Sequence, residues 1–454
     1  MCGQYGTGRY PVRVLVNVGF LGAALVLAAW AWRRDKFSPL SMSLWLWVGI
    51  AAVLVLNPLE LTPLSLKAAT IVGVGLLALV APMWRRRPLG RFISDQGHDR
   101  VALARLWFAS AGMLVMVVIG VYAFRAGIAQ ATGTDLSNLS VTDIRRAQSG
   151  SARGGGLLGL MSAANPLLAC LGVYGAWRYS RLWLVLTAVA VWASLQTPAR
   201  LTTLSLLVGA VVFYLYIRGY VPKRGGRPFG VLRRPPLLVI GLAGAAGLAF
   251  FNNLGTKLGK NEIIASYFTH FAWPDWMLSP IVYFAGGIPA LSQAISQEFN
   301  PFDPMGSIFT IVRIAAFVDP ATHQPDTLGK FVPIPIPFNV YTGQGAAWFD
   351  FGMIGVVVLM FILGWFAVVS HRKARQGFVE WAWVSAVIAG LLLSLPQTYR
   401  LFFLDVDFQL VVGFAMFWLI RRSSKRASAE RARLGDTVDA DVHARIGRPH
   451  VPGS

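Results

Sequence analysis

The stretch AWFDFGMIGVVVLMFILGWFAVV (347–369), followed at once by SHRKAR (370–375), decides how the chain is read. Its apolar residues do not alternate with polar ones, as they would in a half-buried strand. They run on almost without a break, and a helix of that length crosses the ~30 Å hydrocarbon layer of a bilayer. The basic cluster behind it, Arg372, Lys373 and Arg375, marks the side of the membrane on which the helix ends. Similar runs, broken by arginine clusters and Pro/Gly stretches, recur along all 454 residues. The chain is 55% hydrophobic and 13% charged, with a mean hydropathy of +0.56. Soluble domains carry about 25% charged residues. An ordinary soluble enzyme, a disordered chain and a fibrous protein are all excluded. An all-α, polytopic integral membrane protein is left, because a helix satisfies its own backbone hydrogen bonds in lipid.

Eleven spans are expected, at roughly 14–32, 41–57, 65–84, 106–126, 157–177, 182–196, 201–217, 237–251, 347–369, 379–395 and 401–420. Basic clusters follow the first, third, fifth, seventh, ninth and last of these. They include Arg33 and Arg34, Arg85 to Arg87, Arg178 and Arg181, Arg218, and Arg421 with Arg422. An N-outside, C-inside chain puts every cluster in the cytoplasm, as the positive-inside rule asks. The net charge of +21 therefore follows membrane topology, and no nucleic-acid partner is expected. The first span is read as an uncleaved helix, because RRDK follows it in place of a small-residue cleavage site. Residues 1–422 form the membrane domain, with outer loops at about 127–156 and 252–346, and the polar tail 423–454 is expected to be disordered in the cytoplasm. The second loop holds two apolar stretches, 277–295 and 307–318, expected as re-entrant, interfacial or packed outer helices. Two further true spans are the alternative.

Phosphate loops, strand–GxGxxG–helix units, HExxH and Cys/His ligand clusters are absent from the sequence, and its two cysteines, Cys2 and Cys170, build no disulfide framework. No metal and no cofactor are expected. What stands out is arginine on the outer side, where basic residues are normally sparse. Arg200 opens a span, Arg313 lies inside the apolar TIVRIAAF, Arg400 lies in the short turn QTYR, and Arg145 and Arg146 lie in a helix expected to begin near Ser140. Snorkelling or local pairing explains one such arginine. Several at helix mouths point to an anion site, since the guanidinium fork grips phosphate with two parallel hydrogen bonds. A diphosphate carried by a polyprenyl lipid is the anion that lives at this surface. Glu262, His270 and Asp350 are the candidate bases, against a background of solvated loop acids. Trp273 and Trp276 beside them suit stacking on a sugar and, equally, an interfacial belt.

IVYFAGGIPAL (281–291), FNPFDPMGSIFTIVRI (299–314), QTPARLTTLSLL (196–207) and above all PFNVYTGQGAAWFDFGMIGVVV (337–358) together resemble the oligosaccharide repeat-unit polymerases, the Wzy-type O-antigen polymerases. The run Gly343-Gln344-Gly345-Ala346 departs from that family's bulkier aromatic pattern. The resemblance implies a GT-C-like helical glycosyltransferase of the bacterial cytoplasmic membrane, with its active site facing outward. Such an enzyme moves a growing glycan from polyprenyl diphosphate to a sugar hydroxyl of the next lipid-linked repeat unit. Membrane lipid, a flippase and a chain-length regulator are its implied partners. The resemblance adds Asn339 and Tyr341 as glycan contacts and supports Arg200, Arg313 and Asp350 as site positions. One displacement, with no metal, would invert the anomeric centre. An O-antigen ligase, a lipid-linked oligosaccharide transporter and a membrane scaffold are the alternatives.

Overall fold

The computed structural model describes residues 10–35, 38–57, 61–84, 100–136, 139, 158, 160–196, 200–218, 275–319, 321–322, 330–334 and 336–422. The chain is mostly helical: α1 (Tyr10–Arg34), α2 (Pro39–Leu56), α3 (Leu66–Val80, extended by a 3-10 turn Ala81–Trp84), α4 (Arg100–Thr132), α5 (Asn165–Arg178), α6 (Leu184–Leu195), α7 (Arg200–Ile217), α8 (Asp275–Ala285), α9 (Gly287–Ser296), α10 (Phe309–Val318), α11 (Gly343–Arg375), α12 (Val379–Ser394) and α13 (404–422). Among the described residues the only strands are β1 (Val332–Pro333) and β2 (Pro337–Phe338), an antiparallel pair. This is the class of an all-α membrane protein. Among the described residues five helices are long and apolar enough to cross a bilayer, or six if the bent pair α8–α9 counts as one. Ten of the eleven expected segments are helices here, while 237–251 and the tail 423–454 lie outside the described residues.

The helices share one polarity. Arg33 and Arg34 close α1, Arg178 closes α5, and Arg372, Lys373 and Arg375 close α11. Arg34 Nη1 donates to the Trp84 carbonyl at 3.3 Å, bringing the end of α3 to the same place. We call this the basic end, and the other the far end. At the basic end Tyr216 Oη and His371 Nδ1 are hydrogen-bonded at 2.5 Å, and His371 Nε2 donates to Asp35 Oδ2 at 2.8 Å, since a carboxylate only accepts. Arg375 also reaches Asp35, at 3.3 Å, and Arg421 pairs with the buried Glu380 at 2.7 Å. These bonds tie α1, α7, α11, α12 and α13 together where they meet.

Two packing details shape the far end. The α7 and α12 helices run antiparallel with small residues between them: Gly390 lies against Ser205, and Gly209 against Ala386. Small residues let helix backbones approach closely in lipid, where no hydrophobic force drives them together. The second detail corrects the sequence reading of 347–369 as one straight span. Gly75 of α3 lies against Gln344, Val356 and Met360 together. In an unbroken helix residues 344 and 360 would stand about 24 Å apart at 1.5 Å per residue. Here α11 folds back at Gly352, whose φ of 63° and ψ of −156° suit glycine alone. Residues 343–351 therefore form a half-helix that starts deep in the bundle and climbs to a crest. Residues 353–375 then descend to the basic end. The pair α8–α9 is interrupted more gently, bent by 44° around Gly286, whose φ of −66° and ψ of −22° stay helical. The stretches expected as re-entrant or packed helices, 277–295 and 307–318, are thus α8–α9 and α10. The first outer loop starts later than expected, because α4 runs on to Thr132.

Candidate functional site

The far end is assembled from chain breaks. The Gly343 amide donates to the Leu395 carbonyl at 2.8 Å, and Gly287 lies against the Pro396 carbonyl. Tyr399 Oη donates to the Leu359 carbonyl at 3.2 Å, which ties the turn 395–403 to the descending part of α11. The start of the half-helix, the break of α8–α9 and this turn therefore meet below the Gly352 crest. The segment from Phe299 to α10 closes over them. The Thr310 amide donates to the Phe402 carbonyl at 2.8 Å, stapling α10 to the turn.

Two of the expected anion-binding arginines come together here. The guanidinium carbon of Arg313 lies 5.8 Å from the centre of the Phe309 ring, and that of Arg400 lies 5.7 Å from the Phe403 ring. The two rings stack on each other, 5.6 Å between centres and 28° between planes. The result is a cation–ring–ring–cation array, in which each guanidinium rests on a π-face that does not consume its N–H donors. Among the described residues Arg313 has no carboxylate partner. Arg400 donates to the Asp405 carboxylate in the first turn of α13. Both side chains stay partly open, at 22% and 29% exposure. Beside them is a cavity of about 50 Å³ bounded by Ser205, Ser394 and Gln409. That is enough room for water.

Arg200 belongs to the same level. It opens α7, and the antiparallel pairing of Ser205 with Gly390 and Gly209 with Ala386 sets its backbone opposite the end of α12, where the Arg400 turn begins. Its side chain lies outside the described residues, as do Arg145, Arg146, Glu262, His270 and Trp273 and the side chain of Trp276. The arrangement brings together Arg313, Arg400 and the backbone of Arg200.

Asp350 is a different case from the free base expected at a span's start. Its Oδ1 accepts from the Met305 amide at 2.9 Å, and its Oδ2 accepts from the Ser307 amide and hydroxyl at 2.8 and 2.5 Å. Both oxygens are thus occupied in capping the 3-10 turn that leads into α10. The role that geometry gives it is positional: it hangs the Arg313 helix from the crest of α11. Tyr341 is likewise enclosed. It is 1% exposed, donates to the Lys330 carbonyl at 2.7 Å, and packs against Phe302 with ring centres 5.1 Å apart. Burial pushes its phenol well above the ordinary range. Asn339 is half-buried beside β2.

Four polar residues at this end escape the sequence reading. Arg125 donates to Gln196 Oε1 at 2.7 Å and to the Leu139 carbonyl at 3.1 Å, and the Lys67 ammonium lies 4.8 Å from the Trp348 ring. Both sit within helices expected as spans. Gln344 is completely buried, and neither atom of its amide has a partner among the described residues. The fourth is Asp405. Two acids in the first turn of an apolar helix (LFFLDVDF) were the available signal, because an ionisable residue inside a span is expensive and usually functional. Among the described residues no group of three or more His, Cys, Asp or Glu side chains is placed to hold a metal ion. Comparison with family models, with curated proteins and with solved structures finds no match for this chain.

Proposed function

We propose that this protein is a glycosyltransferase of the bacterial cytoplasmic membrane that polymerises polyprenyl-diphosphate-linked oligosaccharide repeat units on the outer face. The observation that carries the reading is the Arg313–Phe309–Phe403–Arg400 array at the end of the bundle opposite the basic clusters. The positive-inside rule sets those clusters in the cytoplasm and the array on the outer side. With 237–251 as an eleventh crossing, the N-terminus lies outside and the C-terminus inside. The reaction needs no ATP, since the sugar–diphosphate bond is already activated. Its leaving group is an anion that needs positive charge more than a proton. Guanidinium groups fixed before the reaction stabilise that charge as it develops. Arg200, at the same level, completes the set. The resemblance to the repeat-unit polymerases supplies the substrate class, and glycan contacts fall to Asn339 and the Trp273–Trp276 stretch.

Loss of a charge-assisted hydrogen bond costs about 1.5–3 kcal/mol, roughly 10- to 100-fold in rate. Arg313→Ala and Arg400→Ala are expected to stay folded in the membrane and to lose polymer length to that degree or more, measured on purified protein given lipid-linked repeat units extracted from the cells that make it. Full-length polymer from both variants would remove the anion-site reading. A ligase would join the glycan to a different final acceptor, and product analysis separates the two. A second reading is transport of the same lipid-linked substrate. The broken helices α8–α9 and α11 favour it, because interrupted helices line transporter sites. Movement of labelled substrate across a vesicle membrane without a new glycosidic bond would select it.

A further inference from the structure

A transfer of this kind also needs a group to take the proton of the attacking hydroxyl. The Asp350 carboxylate is closed off by its three hydrogen bonds to Met305 and Ser307. Asp405 is differently placed. It stands next to the arginine array, its hydrogen-bond partner among the described residues is the Arg400 guanidinium, and it is 29% exposed. It borders the cavity between α7, α12 and α13.

We propose that Asp405 is the general base of the reaction, held on Arg400 until the donor diphosphate takes the guanidinium over. This rests on the polymerase reading of the site. A diphosphate carries more charge than a carboxylate and offers oxygens on two phosphorus atoms, so it competes for the fork of Arg400. The carboxylate is then released within a few ångströms of the bound donor. The carboxylate of Asp405 accepts the proton of the acceptor hydroxyl. The acceptor oxygen forms a bond to the anomeric carbon. The bond from that carbon to the diphosphate oxygen breaks, and its electron pair leaves on the polyprenyl diphosphate. The charged and titratable groups around Asp405 are Arg400 from the turn, Asp407 on its own helix and Cys170 from α5 across the cavity. The residues that α7 and α12 bring to that cavity carry no charge.

Asp405→Asn keeps the shape and removes the base. With extracted lipid-linked repeat units, the purified variant is expected to lose about 10²- to 10⁴-fold in kcat, the range of general-base catalysis. Its affinity for geranylgeranyl diphosphate, used as a donor probe, is expected to stay equal or rise, since Arg400 is freed. Asp405→Glu should restore part of the rate. A variant that polymerises at the wild-type rate overturns the proposal. So does one whose probe binding falls in step with its rate, because Asp405 would then only be positioning Arg400. Wild-type protein that binds the probe but makes no polymer would instead remove the polymerase reading, and the base with it.

Discussion

The two ends of the bundle use similar side chains to opposite effect. At the basic end, Asp35 joins His371 and Arg375, His371 joins Tyr216, and Glu380 joins Arg421. Charges and their partners come from different helices and close on one another. At the far end the guanidinium groups of Arg313 and Arg400 rest on aromatic rings, as Arg421 also does on Phe378 at the basic end, but among the described residues Arg313 has no carboxylate partner and the Gln344 amide has no partner at all. A buried polar group without a partner is costly. The contrast separates a clamp from a receptive surface, and it can be tested at both ends with the same assays.

The largest stability effect is expected at the clamp. Removing one partner of a buried ion pair costs about 3–5 kcal/mol, because the other charge is left stranded. Asp35 is 26% exposed, so Asp35→Ala should fall at or below the lower end of that range, as a drop in thermal unfolding temperature in detergent. Binding of geranylgeranyl diphosphate should not change. Arg313→Ala should show the reverse pattern, with binding lost and the unfolding temperature nearly kept. If both variants lose stability equally, the distinction between the ends fails. Gly352→Ala comes next. Non-glycine residues in that backbone region cost about 1–3 kcal/mol, and straightening the break would also withdraw Asp350 from Met305 and Ser307. Both stability and polymer formation should fall. Tyr341→Phe removes one buried hydrogen bond to Lys330 and should cost about 1 kcal/mol, with little change in rate. Gln344→Leu is the smallest. An apolar side chain of similar size should leave stability unchanged or raise it slightly, because the amide has no partner to lose. A clear loss of stability there would reveal a bound water or ligand on the amide.

The helices were legible because long apolar runs have few other meanings. Charge clusters gave their common polarity, since arginine placement follows the membrane. The half-helix was not legible. Gly352 is one glycine among many, and its backbone angles are set by contacts of Gln344 and Met360 with the same glycine of α3. The partners of Asp350 were not legible for a similar reason: they lie more than forty residues earlier in the chain, and capping across that distance leaves no local pattern. Asp405 was hidden inside the last expected span, where an acidic residue was a signal that went unused. Arg313 and Arg400 could be named as an unusual pair from their scarcity on that side. That two phenylalanines would join them depends on the docking of α10 against the turn, which no spacing encodes.

The contact between Gly364 and the carbonyl of Leu79 leaves no space for even a methyl group. Helices α3 and the lower part of α11 are thereby pressed backbone to backbone and cannot slide past each other. They make a stationary wall. Any rearrangement that admits a bulky lipid-borne sugar chain is left to other parts of the far end, such as α10, held to the turn by the hydrogen bond from Thr310 to Phe402.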